Sequence, residues 1–132
     1  MRLNQVTVPV TDYAASVAFY RSLGLVQIVD SPPRYARFEC PDADGGEPAT
    51  FSLHADPSVR PGEGALVYFE VDDLDALIAR LKAEGADVLS EPRDMDYLWR
   101  EADVRDPSGN RIRLYTAGEN RRFPPWRIGT QT

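Results

Sequence analysis

The feature that most constrains this chain is an internal echo. Asp12 precedes Gly24 by twelve residues, and Asp73 precedes Gly85 by the same distance. Between them lie YAASVAFYRSL and LDALIARLKAE, and both read as helices. Asp suits a helix N-cap, because its carboxylate accepts from backbone N–H groups that have no partner in the first turn. Gly suits the residue just past the last turn, where the backbone goes left-handed. Leu74, Leu77, Ile78 and Leu81 form one apolar stripe, and Tyr13, Val17 and Tyr20 a looser one. The offset of 61 that joins the helices also lays LNQVTVPV (3–10) on GALVYFEV (64–71), and ATFSLHA (49–55) on NRIRLYT (110–116). The segments agree without a gap, so the halves read as two copies of one βαβββ unit.

Weaker strand signals complete each copy: LVQIVD (25–30) and YARFEC (35–40) in the first, ADVLS (86–90) and LWREADV (98–104) in the second. Turn residues separate them at Ser31-Pro32-Pro33, Asp44-Gly45-Gly46, Pro61-Gly62, Glu91-Pro92 and Asp106-Pro107-Ser108-Gly109. The expected architecture is a single α+β domain over 1–132 with pseudo-twofold symmetry and eight strands. Module one covers 1–56, a linker 57–63, module two 64–117 and a C-terminal arm 118–132.

Charge and composition remove several function classes. Fifteen Lys and Arg against 21 Asp and Glu give a net charge of −6, which argues against a nucleic-acid partner. One cysteine, Cys40, excludes a disulfide within the chain and a Cys-based zinc cluster; one histidine, His54, excludes a multi-His metal site within it. Cys40 has no evident activating neighbour and reads as a bystander. The opening MRLNQVTVPV has no long apolar run, and no stretch reaches the roughly 20 apolar residues of a membrane span, so a cytoplasmic protein without a membrane partner is expected.

Alternation along each strand assigns its faces. Val6, Val8 and Val10, with Val67, Phe69 and Val71, go under a helix; so do Phe51, Leu53, Ile112 and Leu114. The opposite face then carries Gln5, Thr7, Ser52, His54, Leu66, Tyr68, Glu70, Arg113 and Tyr115. A plain solvated sheet face is one reading. The aromatic and uncharged members favour a ligand site, where apolar walls carry a few orienting polar groups. Glu70 and Arg113 are placed to pair across this face. Trp99 and Glu101 share a side, Trp99 as a wall or edge filler and Glu101 as a base or hydrogen-bond acceptor.

VTVPVTDYAASVAFYRSLGL (6–25), FEVDDLDALIARLKAEGADV (69–88) and WREADVRDPSGNRIRLY (99–115) together resemble the vicinal oxygen chelate superfamily of glyoxalase I, extradiol dioxygenases and bleomycin-resistance proteins. The resemblance runs over about residues 3–117. It implies two βαβββ modules whose curved sheets enclose a cup. In metal-dependent members, four strands each give one donor. Those positions fall here on Gln5, Ser52, Leu66 and Arg113, of which only Gln5 is a plausible ligand. The resemblance therefore implies a metal-independent binder of an aromatic or carboxylate-bearing metabolite or xenobiotic, with no cofactor and a homodimeric state. Tyr68, Trp99 and Tyr115 would stack on the ligand, and Gln5, Thr7, Ser52, His54, Glu70 and Arg113 would line or orient it. Two enzymatic alternatives stand beside it. One is a lyase, isomerase or dioxygenase with a divalent metal shifted toward His54, Glu70 and Tyr115. The other is a metal-free acid–base enzyme using Glu70 or Glu101 as base and His54 as proton shuttle. The ending ENRRFPPWRIG (119–129) carries net +2 against −8 for residues 1–118. It is expected to pack Phe123 and Trp126 against this subunit or a second copy.

Overall fold

The computed structural model describes residues 1–41 and 45–129. Asp44 of the expected Asp44-Gly45-Gly46 turn and residues 130–132 of the arm lie outside the described residues. The chain forms two compact units, residues 1–65 with 106–110 and residues 66–105 with 111–132.

The first unit holds β1 (Gln5–Pro9), α1 (Tyr13–Ser22), β2 (Val26–Ser31), β3 (Tyr35–Cys40) and β4 (Ala49–His54), in sheet order β1-β4-β3-β2. β1 runs parallel to β4, with Val8 beside Leu53; the other neighbours are antiparallel. Asp12 caps α1 by accepting from Ala15 N at 3.1 Å, and Gly24 leaves the helix at φ +102°. Phe51, Leu53, Val8 and Val10 are buried as alternation requires, with Phe38 and Ala36 beside them. The buried face of α1 is Ser16, Phe19 and Tyr20, while Tyr13 and Val17 are only half-buried. Tyr20 packs on Phe51 and Phe38, and its hydroxyl donates to Asp106 Oδ2 at 2.5 Å. Asp106 also accepts from the backbone N–H of Ser108 and Asn110. One carboxylate thus closes the Asp-Pro-Ser-Gly-Asn turn against the helix.

The second unit holds β5 (Val67–Glu70), α2 (Leu74–Ala83), β6 (Asp87–Val88), β7 (Arg93–Asp94), β8 (Arg100–Arg105), β9 (Arg111–Thr116) and a short 3-10 turn at Gly118–Arg121. Its sheet order is β5-β9-β8-β6, with β7 also paired to β8. Asp73 caps α2 through Ala76 N; Leu74, Ile78 and Leu81 are its buried face, and Val67, Val104, Ile112 and Leu114 are buried on the strands.

One expectation changes. Among the described residues there are nine strands, because the short β7 forms after the Glu91-Pro92 turn. The offset of 61 holds for the helices and for the strand pairs it was laid on, but the strands between them, β3 and β8, are displaced further. Ser52 faces Arg37 and its counterpart Arg113 faces Asp103, a displacement of 66 between β3 and β8. About five extra residues therefore enter before β8. They build the β7–β8 turn (residues 95–99), in which Leu98 takes φ +70°. That conformation is strained for a side chain branched like leucine's.

Candidate functional site

The faces turned away from the helices differ between the units. In the second unit, β8 brings Glu101 beside Tyr115 and Asp103 beside Arg113, while β5 brings Tyr68 to Arg113 and Glu70 to Tyr115. Trp99 precedes β8 on the same side. Its indole stacks on Tyr115 at 4.6 Å between centroids and 16° between planes, and donates to Asn120 O at 3.1 Å. Tyr68 meets both rings edge-on at 5.8–6.0 Å, and Tyr97 meets Trp99 edge-on. Trp99 and Tyr115 are thus spent on each other; Tyr115 is 6% exposed. The rings left open are Tyr68 and Tyr97, exposed to 42% and 38%.

Arg113 does not pair with Glu70, as the strand faces alone allowed. Asp103 takes it instead, from Nε at 2.7 Å and from Nη2 at 3.0 Å. Nη1 donates to Tyr68 Oη at 3.1 Å, and the guanidinium lies over the Tyr68 ring. Arg111 donates to the same Asp103 carboxylate. Burial alone would raise the Asp103 pKa, but the hydrogen bonds and charges of Arg113 and Arg111 outweigh it and hold the carboxyl below its ordinary range. Hydrogen bonding to Asp103 raises the Arg113 pKa further, so its charge is permanent. Glu70 turns elsewhere: its Oε2 accepts from Ala117 N at 3.2 Å and its Oε1 stands 3.9 Å from Arg121.

Glu101 is 5% exposed. Its Oε1 accepts from the Tyr97 hydroxyl, and burial followed by that bond pushes the phenol up to about 12. Its Oε2 accepts no hydrogen bond.

In the first unit the same face carries uncharged polar groups together with Arg37. Gln5 Nε2 donates to Ser52 Oγ at 2.8 Å and to Thr7 Oγ1 at 3.2 Å, and Gln5 Oε1 accepts from Thr50. The Tyr35 hydroxyl lies 2.8 Å from Ser52 Oγ and accepts from Arg37 Nε at 2.8 Å. His54 is exposed, with its ring 6.2 Å from Tyr35. Ser52 is fully buried beneath this network.

The donor set does not fit a divalent ion at the four positions that the resemblance names. The Gln5 amide oxygen is engaged by Thr50, Leu66 has no donor atom, and Arg113 holds a fixed positive charge. Among the described residues, no three His, Cys, Asp or Glu side chains gather into a group that would hold a metal.

Sequence reasoning passed over Asp103, Tyr97, Tyr35 and Arg37. Alternation from Trp99 and Glu101 already placed Asp103 on this face. Tyr97 had no such signal, because it stands in the inserted turn. Cys40 is half-buried, and burial raises its thiol pKa, in keeping with an inert side chain. In the arm, Phe123 and Trp126 stay more than half exposed, with Arg122 and Arg127 against the Phe123 ring. No helix among the described residues is long and apolar enough to cross a membrane.

Comparison with known proteins places these features in a group. The model of the Glyoxalase/Bleomycin resistance protein/Dioxygenase superfamily matches residues 2–114. The anthracycline biosynthesis protein DauV of Streptomyces sp. (strain C5) is 34% identical over 81% of this chain and 44% of its own length. DnrV of Streptomyces peucetius, named likewise, is 33% identical over the same shares. The chain thus spans less than half the length of these curated relatives. Among solved structures, TnmS3, an antibiotic binding protein from Streptomyces sp. CB03234, is 28% identical at a TM-score of 0.73, over 89% of this chain and 96% of its own. A lactoylglutathione lyase from Agrobacterium tumefaciens shares the fold at 20% identity and a TM-score of 0.68, over 96% of this chain and 97% of its own.

Proposed function

This chain belongs to the glyoxalase/bleomycin resistance protein/dioxygenase superfamily, and on that premise we propose that it binds a small aromatic or carboxylate-bearing molecule without a metal ion. The observation that carries this reading is Arg113, a guanidinium bound to Asp103 where a metal-dependent member would present a carboxylate. A cation placed beside it meets repulsion from that fixed positive charge. The same guanidinium suits an anionic or acceptor-rich ligand, since Asp103 and Tyr68 leave part of its N–H fork unused. Tyr68 and Tyr97 offer ring edges and faces to a flat molecule, with Trp99 and Tyr115 as a rigid backing. In the first unit the open polar side chains are Gln5, Thr7 and His54, while Ser52 is buried beneath them and supports Gln5. The names of the curated relatives and of TnmS3, with anthracycline biosynthesis and antibiotic binding, support a small-molecule ligand. A homodimer, with the exposed Phe123 and Trp126 as its anchors, is part of the same proposal.

Two measurements test the reading. Dialysis against nickel, manganese, zinc or ferrous iron followed by elemental analysis is expected to leave well under one equivalent; one equivalent held at micromolar affinity would overturn metal independence. A thermal-shift screen of aromatic acids is expected to yield ligands that stabilise by about 2.7 kcal/mol at a hundredfold excess over Kd. Trp99→Ala should abolish those shifts, and Arg113→Ala should weaken those of carboxylates selectively. Shifts indifferent to both substitutions would sink the assignment.

A further inference from the structure

One carboxylate oxygen in the second unit has no hydrogen-bond partner, and its residue, Glu101, lines a cavity. Glu101 Oε2 is buried and accepts nothing, while Arg113 Nε stands 3.6 Å away, beyond a hydrogen bond. Leaving a buried acceptor unpaired costs free energy, and for a charged group more than for a neutral one. A cavity of about 110 Å³ opens beside Glu101, lined also by Leu89, Ser90, Arg93, Asp103, Arg111 and Arg113. That is room for about three or four waters at ~30 Å³ each, or for the polar edge of a larger molecule.

The lining decides what chemistry fits. Three arginines face two carboxylates, so a cationic ligand group meets a net positive wall. Asp103 is saturated by Arg111 and Arg113. Glu101 Oε2 is therefore the vacant acceptor, and it requires a donor. Donors are also in surplus: Arg93 shows no ion pair among the described residues, and Arg113 keeps N–H groups beyond those given to Asp103 and Tyr68. A neutral hydroxyl meets both demands, since it donates to Oε2 and accepts from a guanidinium. Glu101 is also tied to the aromatic cluster, through Tyr97 on its other oxygen and Tyr115 beside it in the sheet.

We propose that Glu101 is a specificity-determining residue that recognises a hydroxyl on the edge of an aromatic ligand, a phenol-type group entering the cavity beside Arg113. This rests on the aromatic-binding reading above and adds the substituent that the ligand must carry. Tyr97 is a positioning residue, because its hydroxyl holds Oε1 and so fixes the carboxylate whose Oε2 is left for the ligand.

The test uses the full chain, with 1-naphthol and its methyl ether, 1-methoxynaphthalene, as probes titrated by calorimetry. The ether keeps the ring and an acceptor oxygen but has no proton to give. Wild type is expected to bind the naphthol about tenfold more tightly. In Glu101→Gln, which preserves shape but loses the charged acceptor, the ratio should fall within about twofold while affinity for the ether holds. Tyr97→Phe should reduce the ratio less, and serves also if the Gln variant fails to fold. If both probes bind wild type equally, with Trp99→Ala abolishing both, the aromatic reading survives and the hydroxyl inference falls. A tenfold ratio that persists in Glu101→Gln overturns it as well. If neither probe binds, both proposals fall together.

Discussion

At one register position the two units make opposite choices. In the first, Ser52 lies beside Arg37, whose Nε donates to the neutral Tyr35 hydroxyl. In the second, Arg113 lies beside Asp103, and the carboxylate clamps it together with Arg111. Strand order, helix caps and the buried alternation match between the units. The difference teaches that the helix-facing side of each copy is held by packing, whereas the other face is free to diverge. One copy shows a guanidinium on uncharged hydrogen-bonding groups there, and the other shows a ring cluster and paired charge.

Asp103→Ala should break that contrast most severely. It strands Arg113, which is mostly covered, and half-exposed Arg111, so a loss of about 3 kcal/mol in urea unfolding is expected. Arg37→Ala at the matching position should cost under about 1 kcal/mol, because no charge is left unpaired. Equal losses would mean that the ion cluster adds no more than the neutral network. The cluster also predicts a pH effect. The folded Asp103 pKa lies below its ordinary 3.8, so its stabilisation is complete above about pH 5 and is lost as pH falls through the folded pKa. Asp103→Asn should flatten that acid limb of the stability curve.

A smaller effect sharpens the comparison of the two helices. Tyr20 occupies in α1 the place of Leu81 in α2, and both are buried. Tyr20→Phe keeps the ring packing and removes one hydrogen bond to a buried carboxylate, so about 1.5–2 kcal/mol should be lost in chemical denaturation. A loss near zero would show that the Asp106 turn is held by Asn110 and Ser108 alone. The smallest effect is at the insertion. Leu98→Asn should gain about 0.5 kcal/mol in thermal unfolding, since Asn tolerates φ +70° better. A loss there would mean that the exposed leucine side chain contributes more than its backbone strain costs.

Much of the fold was legible because its signals are local. Asp12 and Asp73 announce the helix starts, Gly24 and Gly85 their ends, and the valines of β1 reveal its buried side. The candidate site was legible only in part. Gln5, Ser52, Tyr68, Glu101 and Arg113 sit on the faces that alternation named. The pairing of Arg113 did not follow, because Glu70, Glu101 and Asp103 all share its face and charge does not rank them. Nor did the role of Tyr97, since a turn of five residues has no period to read.

The amino-acid order by itself determined the two βαβββ copies, their caps and their buried faces, because helix and strand periods impose those on any chain with this spacing. Tertiary structure decided which acid neutralises Arg113, which rings stay open and which carboxylate oxygen is left unpaired. Those outcomes depend on the β8–β9 register after a short insertion, and hydrogen-bond geometry changes over fractions of an ångström that no residue pattern encodes.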